Sequence, residues 1–323
     1  MKAQTPKYFN TKLSIGILFL PLSAIYWFIS SIKRVFSKPY KSKAKVICVG
    51  NITLGGVGKT PLVIKIIEIL LQKKVRVGVL SRGYRGALSS TTPVLVNKKH
   101  TASDVGDEVF MIFQRFNGKV PTCICTNRAN GAKVLEDKVD IIIMDDGLQN
   151  YTLAKDKSIL VFDGGQTVGN GFIFPAGPLR ETLGCGIKKA SSIVIMRKIN
   201  QAFEKKLLHY HLPVFNAKTV AKNLENFAGK SVIAFAGIGN PQKFYDTLHG
   251  AKIKIKRSFE FPDHHQYSDE DFEKILKSAG NLPVLTTTKD YVKIPPKYQK
   301  KITPIEIDLC INEEKDFFDI ILK

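Results

Sequence analysis

The chain has 323 residues, and its 49 Lys and Arg against 28 Asp and Glu leave a net charge of +21. A hydrophobic share of 44% and a charged share of 24% are those of a globular protein; they exclude a disordered or collagen-like chain, and the length predicts two domains. Five sparse cysteines (Cys48, Cys123, Cys125, Cys185 and Cys310) form no C-x-x-C pair, so a reducing compartment is expected rather than a disulfide framework or zinc ribbon.

The charge is unevenly spread. Residues 1–45 hold nine Lys or Arg and no acid, and the first carboxylate is Glu68. Such a surplus attracts nucleic acid, nucleotide phosphate or anionic lipid. Within it, Leu13 to Ile32 runs twenty residues without a charge, preceded by Lys2, Lys7 and Lys12 and followed by Lys33, Arg34, Lys38, Lys41, Lys43 and Lys45. As a helix the run rises about 30 Å, one hydrocarbon thickness. No small-residue cleavage site follows it, which argues against a signal peptide. Pro21 interrupts it and positive residues flank both ends, which argues against a simple span. A core helix is a further alternative. The reading adopted is a helix or bent helical hairpin in the membrane interface, facing the cytosol, with Tyr26 and Trp27 at headgroup depth and the lysines on an anionic membrane surface.

Beyond it, apolar runs predict strands at Lys45–Gly50, Val75–Leu80, Val120–Cys125, Val139–Met144, Ile159–Phe162 and Ser192–Met196. Amphipathic stretches Pro61–Lys73, Glu108–Phe116 and Arg128–Asp137 lie between them. The alternation predicts an α/β domain with a mainly parallel sheet of P-loop NTPase type. A second set follows: strand Ser231–Gly237, helix Pro241–Leu248, strand Lys252–Arg257, helix Asp269–Ala279 and strand Pro283–Thr287. The expected division is residues 1–45 for attachment, 46–222 for the P-loop domain and 223–323 for a smaller α/β domain, with a linker around Lys218–Gly229.

The strongest local signal is VGNITLGGVGKTP, Val49 to Pro61, after a strand and before a helix. In this nucleotide-binding reading Thr53, Leu54, Gly55, Gly56, Val57 and Gly58 form the loop whose N–H groups turn onto phosphate. Lys59 reaches the β- and γ-phosphates, and Thr60 joins a Mg²⁺ shell. The pattern asks for glycine at 53, where this chain has Thr53. VDIIIMDDG, Val139 to Gly147, ends a strand in Asp145 and Asp146, well placed for Mg²⁺ or its waters.

Further stretches are SRGYRG (Ser81–Gly86), VGDE (Val105–Glu108), DDGLQN (Asp145–Asn150), GNGFIFPAGPLRE (Gly169–Glu181), FPDHH (Phe261–His265) and TTKD (Thr287–Asp290). With GGVGKTP and the apolar segment, their order and spacing resemble the tetraacyldisaccharide 4'-kinase family, the lipid A 4'-kinases of Gram-negative bacteria. The resemblance runs to about Ile294.

It implies transfer of the ATP γ-phosphate, with Mg²⁺, to the 4'-hydroxyl of a lipid A disaccharide 1-phosphate at the cytosolic face of the inner membrane. It also implies a smaller domain that closes over the site. It places the catalytic base at Asp107 and a supporting histidine at His264, with His265 a competitor. Asp146 joins Lys59 in the transfer. Arg82, Glu108, Arg128, Gln149, Asn170, Arg180 and Glu181 are the expected substrate contacts. Where the family usually reads D-D-G-F-Q-H, this chain has Leu148 and Asn150, so a histidine role is not carried to position 150. The alternative is a membrane-associated P-loop ATPase switch. No helix-turn-helix, zinc-finger or RNP signature is present, so no nucleic-acid partner is expected, and no obligate protein partner is evident.

Overall fold

The computed structural model describes residues 6–11, 15–197, 199 and 201–323. Lys2, Lys12 and Leu13 of the basic and apolar segment lie outside the described residues. The strands are β1 (Lys45–Gly50), β2 (Val77–Ser81), β3 (Val94–Leu95), β4 (Thr122–Ile124), β5 (Ile141–Asp145), β6 (Lys157–Asp163) and β7 (Ser192–Met196). They continue with β8 (Val214–Ala221), β9 (Ser231–Ala236), β10 (Lys254–Glu260), β11 (Val284–Thr287), β12 (Ile302–Ile305) and β13 (Ile307–Ile311).

One sheet has nine strands in the order β13-β8-β7-β6-β1-β5-β2-β4-β3, and a second has four, β10-β9-β11-β12. Pairing is parallel throughout the second sheet and in the first except at its ends, β8–β13 and β3–β4. Central parallel strands are covered on both faces, and so read as unbroken apolar runs. In the large sheet Ile47, Val49, Ile143, Ile159 and Val194 face the helix Lys59–Gln72, which buries Leu62, Val63, Ile66, Ile67 and Leu70 at helical spacing. Val46, Cys48, Ile142, Leu160 and Ile193 face the other way, toward Ala132, Leu135 and Leu183. In the small sheet Val232 and Ala234 pack on Phe244 and Leu248, and Ile233 and Phe235 on Phe272 and Ile275.

Two sequence-based boundaries differ. The expected linker begins inside β8, where Lys218 lies opposite Cys310 of β13. The last helix, Glu314–Leu322, buries Phe317, Phe318 and Ile321 in the same core as Ile47 and Leu62. The chain therefore crosses between the sheets twice, and its end returns to the first body, which a division at 223 does not separate.

The apolar segment forms a 3₁₀ turn, Ile15–Phe19, and the helix Leu20–Phe36. Pro21 sits in the first turn of that helix, where it starts a helix rather than breaking one. Only 11% of the most apolar window of Ile15–Phe36 is buried, so this is not a core helix. It docks through Ser23, whose hydroxyl donates to the Ile173 carbonyl at 2.8 Å and accepts from the Ala176 N–H at 3.0 Å.

Candidate active site

The carboxyl end of β1 leads into the phosphate loop, and the first helical residue after it is Lys59. Its ammonium donates to Asn51 Oδ1 at 3.0 Å and lies 3.4 Å from Asp146 Oδ1. The Asn51 amide in turn donates to the Thr53 carbonyl at 2.7 Å, which fixes the loop from inside. Thr53 pairs antiparallel with Leu179 and does not adopt a positive φ, so a β-branched residue fits where the motif asks for glycine. The P-A-G-P-L-R-E stretch thus lies as a short edge against the phosphate loop: Leu54 N–H donates to Pro178 O at 2.8 Å and Arg180 N–H to Ile52 O at 2.7 Å.

Asp145 ends β5 and is buried. Burial, then the neighbouring Asp146 carboxylate, push its carboxyl up to about 7, and Glu108 adds to the push. Its Oδ1 has no hydrogen-bond partner. Asp146 turns into the left-handed region at φ 49, which a short polar side chain tolerates. Burial alone would raise its carboxyl, but Lys59 and Arg180 outweigh burial and hold it below the usual range. Arg180 Nη1 donates to Asp146 Oδ1 at 3.0 Å, and the Gln149 amide donates to Asn51 O and Glu181 Oε1, both at 2.9 Å. Glu181 is paired with Lys189 at 2.5 Å. Lys59, Asp146, Gln149, Arg180 and Glu181 therefore form one connected polar wall.

Asp107 is the first residue of the helix Asp107–Arg115 and is 4% exposed. The glycine before it is dictated by packing: a Cβ on Gly106, at φ +95, would lie 2.6 Å from the Tyr84 carbonyl. The S-R-G-Y-R-G and V-G-D-E stretches are therefore pressed backbone to backbone. His264 follows β10, at φ 63, and its Nδ1 lies 3.0 Å from Asp107 Oδ2. Lys289 follows β11 and reaches Glu108 Oε1 at 2.9 Å and Asp263 Oδ1 at 3.1 Å. Burial would pull the Lys289 ammonium down, yet Glu108 and Asp263 overrule it and hold it above the ordinary lysine value. A further crossing joins Lys243, on the helix Pro241–Gly250, to Asp163 at the end of β6, 3.7 Å apart, with Arg197 on the same carboxylate. Residues at the carboxyl ends of strands from both sheets thus meet, where open α/β sheets bind ligands.

His265 turns away. It stacks on Phe261, centroids 4.7 Å apart, and its Nε2 lies 2.9 Å from Asp271 Oδ2, inside its own domain. Asn170 is engaged with backbone: its amide donates to Tyr8 O and Ala176 O at 3.1 and 3.0 Å, and its Oδ1 accepts from Phe172 N–H. Arg128 is buried, which lowers its guanidinium, with Nη1 donating to Cys125 O and Nε lacking a partner. Arg82 is exposed. Asn150 closes a turn by accepting from Thr152 N–H and hydroxyl. Sequence reasoning gave no role to Asn51, Lys189 or Lys289. Asn51 and Lys289 each carried a signal, their places in V-G-N-I-T-L-G-G-V-G-K-T-P and T-T-K-D; Lys189 carried none.

Two acids at a strand end, one with an unpartnered buried oxygen, fit Mg²⁺, which takes one or two carboxylates together with substrate phosphates; Thr60, in the first turn after the phosphate loop, is a further oxygen donor by residue type. Among the described residues no group of three or more acid, His or Cys ligands forms a closed metal cage.

A family profile described as tetraacyldisaccharide-1-P 4'-kinase matches residues 15–323. A tetraacyldisaccharide 4'-kinase of Mannheimia succiniciproducens is 37% identical over 98% of this chain and 98% of its own length. One of Rickettsia typhi is 36% identical over 97% of this chain and 96% of its own. Among solved structures, a crystal structure of LpxK from Aquifex aeolicus in complex with ATP is similar at a TM-score of 0.79 and 27% identity, over 96% of this chain and 99% of that one.

Proposed function

Because the chain belongs to the tetraacyldisaccharide 4'-kinase family and has that kinase activity, we propose that Asp107 is the base that takes the proton of the acceptor's 4'-hydroxyl. The acceptor is a lipid A disaccharide 1-phosphate and the donor is ATP. The observation that carries the reading is the 3.0 Å contact between Asp107, which precedes β4 of the nine-stranded sheet, and His264, which follows β10 of the four-stranded sheet.

A sugar hydroxyl is a weak nucleophile, so the transfer needs positioning, charge neutralisation and a base at its proton. Lys59 and the loop from Thr53 to Thr60 hold the phosphates, and Arg180 and Asp146 flank them. Thr60, Asp145 and Asp146 would hold Mg²⁺, which when bound supplies neutralisation of phosphate charge. Arg82, Glu108, Gln149 and Glu181 are assigned to the acceptor, while the buried Arg128 and Asn170, both bound to backbone carbonyls, shape the loops beside it. His264 orients the Asp107 carboxylate, and because it arrives with the second domain, the base is complete only when the domains meet. That arrangement couples chemistry to substrate capture.

The exposed helix Leu20–Phe36 supports attachment to a membrane, and the lysines that flank it favour a place in the interface at the cytosolic face of the inner membrane. Its dock at Ile173–Ala176 adjoins the P-A-G-P-L-R-E edge, which brings a lipid acceptor and the phosphate loop to one end of the molecule.

The test is lipid phosphorylation and ATP hydrolysis measured side by side in mixed micelles. Disaccharide lipid newly phosphorylated at its 4'-hydroxyl, with ATP consumption that depends on the acceptor, is expected. Hydrolysis of ATP with no lipid product contradicts the reading and favours an ATPase switch.

A further inference from the structure

The turn Thr287–Asp290 closes β11 and aims one side chain across the domain boundary. Asp290, fully buried, ties the turn down: it accepts from the Gly237 N–H at 2.9 Å and the Thr287 hydroxyl at 2.8 Å, and pairs with Lys293 at 2.7 Å. Lys289 is held on this fixed base and by carboxylates of both domains, Glu108 and Asp263. Its third neighbour is His264 Nε2, at 3.5 Å.

The two sides of the His264 ring face groups of opposite hydrogen-bonding character. An ammonium has three hydrogens and no lone pair, so toward Lys289 the Nε2 atom can only accept. An ionised carboxylate has lone pairs and no hydrogen, so toward Asp107 Oδ2 the Nδ1 atom can only donate. Both partners demand the same tautomer, with the ring hydrogen on Nδ1. The other group near Nε2 is Asp263 Oδ2 at 3.7 Å, an acceptor that favours the opposite tautomer once the ammonium is gone. The Tyr84 ring lies edge-on to His264, centroids 6.0 Å apart, and Arg85 beside it donates to the Asp263 carbonyl at 3.5 Å.

We propose that Lys289 is a positioning residue of the transfer: by donating to Nε2 of His264 it fixes the ring hydrogen on Nδ1, where it orients the Asp107 carboxylate. Asp107 Oδ2 is then occupied by His264, and Oδ1 is left to take the proton of the acceptor hydroxyl. The same ammonium pairs with Glu108 of the first domain, so domain closure and selection of the tautomer are one event. This inference rests on the reading of Asp107 as the base.

The direct test is a long-range ¹H–¹⁵N spectrum of the full-length enzyme labelled at histidine, with the His264 ring identified by its loss in His264→Gln. The expected spectrum has the hydrogen on Nδ1 in the wild type and on Nε2 in Lys289→Met. Steady-state kinetics of Lys289→Met are expected to show kcat down roughly tenfold to a hundredfold with the KM for ATP unchanged. Lys289→Arg, which keeps charge and donors, is expected to keep the tautomer and recover most of kcat. A wild-type ring with hydrogen on Nε2, alone or on both nitrogens, overturns the proposal whether or not Lys289→Met folds. An unchanged tautomer in a folded Lys289→Met overturns it as well, and reduces Lys289 to an interdomain strut. Transfer that survives in Asp107→Ala removes the base instead, a failure that the wild-type spectrum leaves untouched.

Discussion

His264 Nδ1 lies 3.0 Å from Asp107 Oδ2, although 157 positions separate them in the chain and they are carried by elements packed on different sheets. Neither residue is unusual by itself. Asp107 opens a helix, where a carboxylate is favoured by the helix dipole, and His264 sits in a turn. Their meeting turns two ordinary side chains into a pair that exists only where the domains touch.

Lys59 holds the phosphate loop to Asn51 at 3.0 Å and faces Asp146 at 3.4 Å, so it links both halves of the nucleotide end of the site. Lys59→Ala is expected to lose on the order of 10²- to 10³-fold in kcat, as when a preorganised charge is removed, while the melting temperature stays within a few degrees. Parallel kinetics and thermal melts check this. Near-normal turnover in a folded variant removes Lys59 from the transfer.

Ile25 and Phe28 are 57% and 59% exposed on the N-terminal helix. Replacing both with Asp is expected to abolish sedimentation with anionic vesicles and leave the melting temperature unchanged. The dock through Ser23 is untouched by these changes, so folding and attachment are read separately. Undiminished vesicle binding would place the attachment elsewhere.

Gly177 admits no side chain. A Cβ there would lie 2.1 Å from Asn170 Oδ1 and 2.4 Å from the Phe172 carbonyl. Gly177→Ala is expected to cost about 1–3 kcal/mol of stability, the usual penalty of overpacking. Gly184→Ala, inside the helix Leu183–Ile187 with nothing within 4 Å of its Cβ, is the control expected to melt no lower than the wild type. Equal melting of the two variants would mean that the loop holding Asn170 is not rigid.

Glu136 accepts from the Tyr40 hydroxyl, the Ser42 hydroxyl and the Lys43 N–H at 2.7, 2.9 and 3.0 Å, and so fastens the segment leading into β1. Burial opposes its charge, but these donors prevail and hold its carboxyl below the usual value. A depressed carboxyl binds its proton more weakly folded than unfolded. Its contribution is therefore complete above the ordinary glutamate value of about 4.3 and is lost as pH falls below it. Glu136→Gln is expected to melt lower than wild type at pH 7 and to converge with it in acid. Denaturation curves at both pH values check the sign, and a constant difference would contradict it.

The phosphate loop was legible because its chemistry is local: strand, glycine turn, Lys59 and helix follow one another in the sequence. The central strands were legible because burial on both faces leaves short unbroken apolar runs bounded by polar loops. β8 was not. Its residues Val214–Ala221 alternate with exposed positions at the far side of the sheet, and Lys218 and Lys222 make it read as a linker. The return of Phe317, Phe318 and Ile321 to the first core depends on contacts with residues near the start of the chain, which no local pattern encodes. The same holds for Lys289, whose place is set by Glu108 in the other domain. His264 and His265 were indistinguishable as neighbours. The left-handed backbone at His264, φ 63, sends one ring to Asp107 and leaves the other stacked on Phe261.

The measurement that bears most directly on the proposed base is transfer of labelled γ-phosphate from ATP to a tetraacylated disaccharide 1-phosphate by wild type and Asp107→Ala, with nucleotide binding measured on both. Asp107 is expected to be needed for labelled lipid and dispensable for binding ATP. Labelled lipid at a near-normal rate from a folded Asp107→Ala would contradict the account.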